Sequence, residues 1–268
     1  MMTLFVRSLG IGPDLVLLHG WGFHGGIWDD LLEILLRLGH RVHVVDLPGH
    51  GRSNASAASS NIDDWAQAVR EVVPSGSAWM GWSLGGMVAL AAATLDPTGI
   101  RALIMVGASP RFVRGSDWPA ALAPELLAEF GRGLKEDWRS TLSRFLALQT
   151  RPGTSQIMRR LRTLMLAFPP DPAALTQGLT LLRETDLRPR LSRVTCPTMV
   201  LLGARDTLVP VEVSTNLAHL RPDWKICHLA EAGHLPFLTH QAEFLFAMNL
   251  ESAANLSFCA QSQNLQSF

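Results

Sequence analysis

Ser83 stands in Gly81-Trp82-Ser83-Leu84-Gly85, a G-x-S-x-G spacing. At ordinary Gly and Ser frequencies of about 7% each, roughly one chain in ten of this length carries such a match by chance, so its context decides. Here an apolar run, Ser77–Met80, precedes it and a small-residue helical pattern, Leu84–Leu95, follows. A strand that turns directly into a helix makes a strained corner and lifts the serine hydroxyl above the sheet. Such a corner leaves no room for side chains at Gly81 and Gly85. The helix starting at Leu84 also brings free N–H groups and its positive dipole end beside the hydroxyl. The chemistry this suits is nucleophilic attack on a carbonyl.

A serine at its normal pKa needs a base, and the base needs a third group to orient it. In a strand–turn–helix setting the partners follow in the order Ser, Asp/Glu, His. Asp206 lies just past the apolar run Thr198–Leu202, in Gly203-Ala204-Arg205-Asp206. Asp96 and Asp223 are rivals, but each stands beside a proline in a surface turn. Of the histidines after Asp206, His219 ends a helical pattern, His228 falls in a strand and His240 begins the last helix. His234, in Ala232-Gly233-His234-Leu235-Pro236, follows a strand on a loop and is the expected base. The oxyanion of a tetrahedral intermediate also needs donors. His19-Gly20-Trp21-Gly22 directly follows a strand, and the expected donors are the backbone N–H groups of Trp21 and Leu84. His19 itself reads as a buried residue supporting that loop.

Neither a metal nor a cofactor is expected. His40 and His43 flank a strand and His19 and His24 share a loop, but no carboxylate or thiolate completes a ligand set. Gly20-Trp21-Gly22 lacks the further glycine of a dinucleotide fingerprint, and no P-loop occurs.

The elements that must position these residues alternate short apolar runs with helical patterns, the mark of a mostly parallel α/β sheet flanked by helices. Strands are expected at Thr3–Ser8, Asp14–His19, Arg41–Asp46, Ser77–Met80, Ala102–Val106, Thr198–Leu202 and Lys225–Leu229. Helices are expected at Ile27–Leu38, Ile62–Val73 (capped by Asn61 or Asp63), Leu84–Leu95 and around Val211–His219. Between Ser109 and about Arg190 strand signals vanish and about four helices follow, one opened by Asp171-Pro172 and one by Thr154-Ser155. The expected organisation is a core of residues 1–108 and 191–250, an all-helical lid at 109–190, and a polar tail at 251–268.

The chain has 268 residues, 23 basic and 23 acidic, with 47% hydrophobic and 17% charged residues, which argues against disorder and against a general nucleic-acid binder. The balance hides a split. Residues 109–190 carry 13 basic against 8 acidic side chains, a net of +5, and the remainder a net of −5. Between Arg132 and Arg162 eight basic residues face only Glu136 and Asp137. Cys196, Cys227 and Cys259 form no disulfide framework, and the start of the chain lacks a signal-peptide pattern. The uncharged stretch Ser75–Leu95 is broken by glycines rather than built to span a membrane. A cytoplasmic monomer that contacts neither membrane nor nucleic acid is expected.

Taken together, His19-Gly20-Trp21-Gly22, Asp46-Leu47-Pro48-Gly49-His50-Gly51-Arg52-Ser53, the Ser83 elbow, Asp206 and His234 resemble the α/β-hydrolase superfamily up to about Leu250. Trp138–Thr150, with Arg144-Phe145-Leu146-Ala147-Leu148-Gln149-Thr150, is similar to the pimeloyl-acyl-carrier-protein methyl ester carboxylesterases of biotin synthesis. Gly81–Gly86 and Leu182–Leu187 agree with that family. The resemblance implies hydrolysis of a carrier-bound methyl ester to a carboxylate and methanol, with acyl carrier protein as partner. It implies substrate contacts at Trp21, Ser83, Leu84, Phe145, Leu146, Ala147, Leu148, Gln149 and His234. Lid arginines would hold the carrier, with Arg144 and Arg159 matching best and Arg139 less securely aligned. The tail and the absence of tyrosine depart from the family without touching these motifs. Two alternatives stay open: a short-chain esterase or enol-lactonase on the same fold, and a catalytically silent binding protein.

Overall fold

The computed structural model describes residues 3–54, 61–149 and 155–248; the tail 251–268, Arg151 and Cys259 lie outside them. The strands are β1 (Val6–Leu9), β2 (Asp14–Leu18), β3 (Arg41–Val45), β4 (Ser77–Trp82), β5 (Ile100–Val106), β6 (Thr198–Gly203) and β7 (Lys225–Leu229). They form one sheet in the order β1-β3-β2-β4-β5-β6-β7, with β1 antiparallel to β3 and every other pairing parallel. Burial follows this order. The central β4 and the inner β6 are buried at every position. The two edge strands are not, and the apolar run expected at Lys225–Leu229 leaves Lys225 and His228 exposed, since among the described residues β7 is the last strand of the sheet.

Helices α1 (Asp29–Arg37), α2 (Ile62–Arg70) and α3 (Leu84–Leu95) follow β2, β3 and β4 in turn. Helix α3 is rich in Gly and Ala and is buried on every side, since α2 packs against it as well as the sheet. Three expected boundaries shift, and one cap is decided, for local reasons. The expected Ile27–Leu38 helix begins instead as a 3-10 turn, Gly25–Trp28, capped by the His24 ring, which accepts from Gly26 N–H. Helix α2 stops at Arg70 rather than Val73 because Pro74 disfavours a helical residue before it. Asn61, not Asp63, caps that helix. The first strand starts at Val6 because the N–H groups of Thr3 and Phe5 donate to the Asn54 and Ser53 side chains, leaving Phe5 C=O, which accepts from Asp46 N–H, as the first link to the end of β3.

Between β5 and β6 run α4 (Pro124–Gln149), α5 (Ser155–Ala167) and α6 (Pro172–Glu184). Helix α4 is two helical segments, because Asp137 leaves the helical region and its carboxylate caps the second by accepting from Arg139 and Ser140 N–H. Asp171 caps α6, accepting from Ala173 N–H at 2.7 Å, with Pro172 following as its sequence predicts. The two roots of the insertion are joined. Arg111 bridges Asp186, and Arg188 binds both Asp117 and Asp186. Helices α7 (Val213–Leu220), α8 (Pro236–Thr239) and α9 (Gln241–Ala247) complete the described chain. Among the described residues no helix is long and apolar enough to cross a membrane.

Strand β2 pairs with β3 on one side and β4 on the other, so the chain reverses its winding direction there. A crevice opens beyond the carboxyl ends of strands at such a reversal, and ligands of open α/β sheets bind in it. The residues that follow β2 and β4 are Gly20-Trp21 and Ser83.

Candidate active site

Ser83 connects β4 to α3 with φ 55°, the one left-handed non-glycine residue among the described positions. Such a conformation costs roughly 1–3 kcal/mol and persists only where the surroundings hold it. Here Ser83 N–H donates to Val106 C=O at 2.9 Å, and Ser83 C=O accepts from Gly86 and Met87. The two elbow glycines have different reasons. A Cβ on Gly81 would lie 2.2 Å from Gly85 O, inside the turn itself. A Cβ on Gly85 would lie 2.5 Å from both Leu18 O and His19 O, so the end of β2 is what excludes it. Close approach of α3 to the loop after β2 is thereby built into the motif.

The loop after β7 brings His234 to this edge. Its Nδ1 lies 2.7 Å from Asp206 Oδ2, and both side chains are fully buried. A carboxylate only accepts, so Nδ1–H donates to Asp206 and Nε2 keeps its lone pair. That Nε2 is buried and without a partner, ready to take a proton. Asp206 is itself held: its other oxygen accepts from Leu208 N–H at 2.8 Å and Val209 N–H at 3.0 Å. The loops after β6 and β7 are laced together through Ala204 N–H to Leu229 C=O and Arg205 N–H to Ala232 C=O. The Trp82 indole donates to His234 C=O at 2.8 Å, tying the His234 loop to β4, at whose end Ser83 stands. The rivals are occupied elsewhere. Asp96 pairs with Arg70 and closes the turn at Thr98, while Asp223 pairs with Arg221. His219 ends α7, His228 is in β7, and His240 joins α8 to α9.

Among the described residues neither Trp21 N–H nor Leu84 N–H donates a hydrogen bond. Both residues are buried at the crevice, so two amides remain for an oxyanion. The His19 reading holds in detail. Its Nδ1–H donates to Gly20 C=O and its Nε2 accepts from Leu47 N–H at 2.9 Å, joining the loops after β2 and β3. Burial holds its pKa well below the ordinary histidine value, with His50 nearby adding to the shift. Asp46 completes the scaffold, accepting from Gly25 N–H and Arg52 N–H. The motif Asp46–Ser53 thus ties together the loops after β2 and β3.

Sequence reasoning named Trp21 as a backbone donor and a substrate contact but missed that its side chain holds the insertion. Its indole donates to Leu175 C=O of α6 at 2.8 Å, and its ring meets Phe145 of α4 edge-on at 4.7 Å. The insertion therefore grips the loop that carries Trp21. Leu142, Phe145, Leu146 and Gln149 are buried at helical spacing on this part of α4, while Ala147 is exposed and is not brought to that face. Leu148 is half-buried, and its C=O accepts from Thr207 beside Asp206. Both polar atoms of the buried Gln149 amide lack partners.

The arginines expected to dock a carrier are exposed but not equivalent. Arg144 pairs with Glu129 at 3.3 Å, and Arg139 stacks on Trp138 at 4.3 Å. Arg159 makes no ion pair among the described residues and lines a cavity of about 530 Å³ with Gly26, Asp29, Gln156, Thr163 and Leu164. Arg160 is taken up by Asp30 of the core.

Residues 15–247 match the model of the alpha/beta hydrolase family. The chain is 44% identical over 241 residues to a pimeloyl-[acyl-carrier protein] methyl ester esterase of Xanthomonas oryzae, covering 88% of this chain and 94% of the relative. It is 41% identical to the protein of that name from Photobacterium profundum, covering 89% and 94%. Among solved structures, an esterase from Exiguobacterium antarcticum superposes with a TM-score of 0.86 at 24% identity, covering 94% of this chain and 96% of that one.

Proposed function

The chain belongs to the alpha/beta hydrolase family, among its pimeloyl-[acyl-carrier protein] methyl ester esterases, and from that premise we propose that Ser83, His234 and Asp206 hydrolyse the methyl ester of a carrier-bound pimeloyl group. It is a carboxylic ester hydrolase. The observation that carries the site assignment is the buried His234–Asp206 pair at 2.7 Å, with an unpartnered Nε2 at the edge where Ser83 is strained into place.

In this reading His234 Nε2 takes the Ser83 proton as Oγ attacks the ester carbonyl, and Asp206 stabilises the resulting imidazolium and fixes the tautomer. The Trp21 and Leu84 amides stabilise the oxyanion, each worth about 10²–10³ in rate. The imidazolium then protonates the departing methoxide, which leaves as methanol. Water, deprotonated by His234, resolves the acyl-enzyme to the free carboxylate. Phe145, Leu146, Leu148 and Gln149 would contact the acyl chain, the first three offering an apolar lining for seven carbons. Residues 109–190 act as a lid, and Arg144 and Arg159 attract the acidic carrier, with Arg139 a lesser contact. The reaction needs no metal or cofactor, and a cytoplasmic monomer suits a carrier-bound substrate.

The test is methanol release from intact pimeloyl-carrier methyl ester by the full chain. Turnover is expected, and it should vanish in Ser83→Ala together with covalent labelling at Ser83. Hydrolysis of p-nitrophenyl esters with none of the carrier-bound ester would overturn the substrate while leaving the esterase chemistry standing.

A further inference from the structure

At the open edge of the sheet three side chains repeat the residue types of the active site. His43, on β3 and 3% exposed, lies between Ser8 of β1 and Asp14 at the start of β2. The Ser8 hydroxyl is 2.8 Å from His43 Nδ1, and His43 Nε2 is 2.8 Å from Asp14 Oδ1. Since the carboxylate only accepts, Nε2–H donates to Asp14, and Nδ1 is left to accept from the Ser8 hydroxyl. The chain of bonds therefore runs from serine to imidazole to carboxylate, with the two ring nitrogens exchanged relative to His234.

The strand register explains the contact. Asp46 N–H donates to Phe5 C=O at the head of the β1–β3 ladder. Alternation along an antiparallel ladder then makes Arg7–Val44 the next hydrogen-bonded pair and Ser8–His43 a non-hydrogen-bonded one. Side chains approach most closely in such pairs, which brings Oγ within reach of the ring. The same alternation turns Ser8 N–H away from β3. Among the described residues β1 ends the sheet and no further strand of it pairs with that N–H, which can meet an oxyanion forming on Ser8. Ser8 is exposed, so an electrophile can reach it. Asp14 is 30% exposed and has Arg41 3.9 Å away, a neighbour that shares the carboxylate without displacing His43.

We propose that Ser8 is a second nucleophile, modified by electrophiles with a good leaving group such as fluorophosphonates and activated acyl esters. With a fluorophosphonate the Ser8 Oγ–P bond forms, the P–F bond breaks and fluoride leaves. The hydroxyl proton passes to His43 Nδ1, and then to solvent. One backbone donor stands here where two converge near Ser83, so the adduct accumulates and the site does not turn over. A methyl ester, whose leaving group is poor, does not react.

The test uses the full chain carrying Ser83→Ala, incubated with a fluorophosphonate probe and mapped by peptide mass spectrometry. An adduct on Ser8 is expected, absent after Ser8→Ala and formed roughly tenfold or more slowly in Asp14→Asn, since a positioned base contributes about 10²–10⁴. Asp14→Asn keeps the shape of the partner, so it remains informative if His43→Gln unfolds the strand pair. The proposal fails if Ser8 acquires no adduct, or if the adduct forms at the same rate in Asp14→Asn, which would make it a reaction of simple exposure.

Discussion

The carboxyl edge of the sheet and the helical insertion meet around Trp21, and they are built by opposite rules. At the sheet edge polar groups are buried and committed: Asp206 accepts three hydrogen bonds, His19 uses both nitrogens, and Asp46 anchors two loops. On the helices of the insertion, α4 to α6, the charges lie outside, in pairs such as Arg144–Glu129 that leave both side chains more than half exposed. Buried polar groups act through fixed geometry and are sensitive to protonation. Exposed charges act through a long-range field and are sensitive to salt. The division suggests that bond-breaking is fixed by the core, while partner choice is carried by helices that can change without disturbing it.

The largest expected effect sharpens that division from the core side. Asp206→Asn keeps the size of the side chain but can hold His234 in the wrong tautomer. A loss of about 10⁴ in kcat is expected for carrier-bound and p-nitrophenyl esters alike, at any ionic strength. Stopped-flow or steady-state assays on both substrates check it. A loss confined to the carrier-bound ester would mean that Asp206 serves recognition, and the contrast between the regions would collapse.

Those core residues were legible in the sequence because each is marked by its immediate neighbours. The Ser83 elbow has its glycines, and Asp206 and His234 each follow an apolar run; in the insertion, Asp171-Pro172 announces a helix start in the same local way. What stayed hidden depends on contacts between segments far apart in the chain. Nothing near Trp21 says that its indole will reach Leu175, 154 positions away. The reason for Gly85, the end of β2, is equally remote. The serine–histidine–carboxylate chain at Ser8, His43 and Asp14 needs the β1–β3 register, which hydrophobic pattern alone does not fix. The exposure of Ala147 within a run assigned by resemblance follows from helical geometry and from which face of α4 meets Trp21.

A smaller effect tests whether the buried edge answers to pH. Burial pushes the pKa of His50 down to about 4, against nearby Asp46 and Asp171, which raise it. The folded state therefore binds the His50 proton less readily than the unfolded chain, whose histidine titrates near 6.5. Stability is complete above about pH 6.5 and is lost as pH falls toward 4. The loss should reach roughly 2–3 kcal/mol by pH 4.5. Urea unfolding at pH 7 and pH 4.5 measures it, and His50→Gln should flatten the difference. An equal fall in the variant would assign the acid sensitivity to other groups, the native carboxylates foremost.

The smallest effect belongs to the insertion and has the opposite signature. Neutralising Arg144 and Arg159 together removes two exposed charges, one of them already shared with Glu129. Exposed pairs contribute only about 0.2–1 kcal/mol each, but a field that steers an acidic partner can raise association about tenfold or more. The double variant should therefore lose roughly tenfold in kcat/KM on carrier-bound ester at low salt. The gap should close as ionic strength rises and the Debye length falls below about 8 Å. Turnover of p-nitrophenyl esters, which carry no acidic carrier, should not respond. Assays of both substrates at two salt concentrations separate the outcomes. A loss that persists at high salt would mean that these arginines make close contacts in the bound complex. The insertion would then recognise its partner by the same fixed geometry as the core.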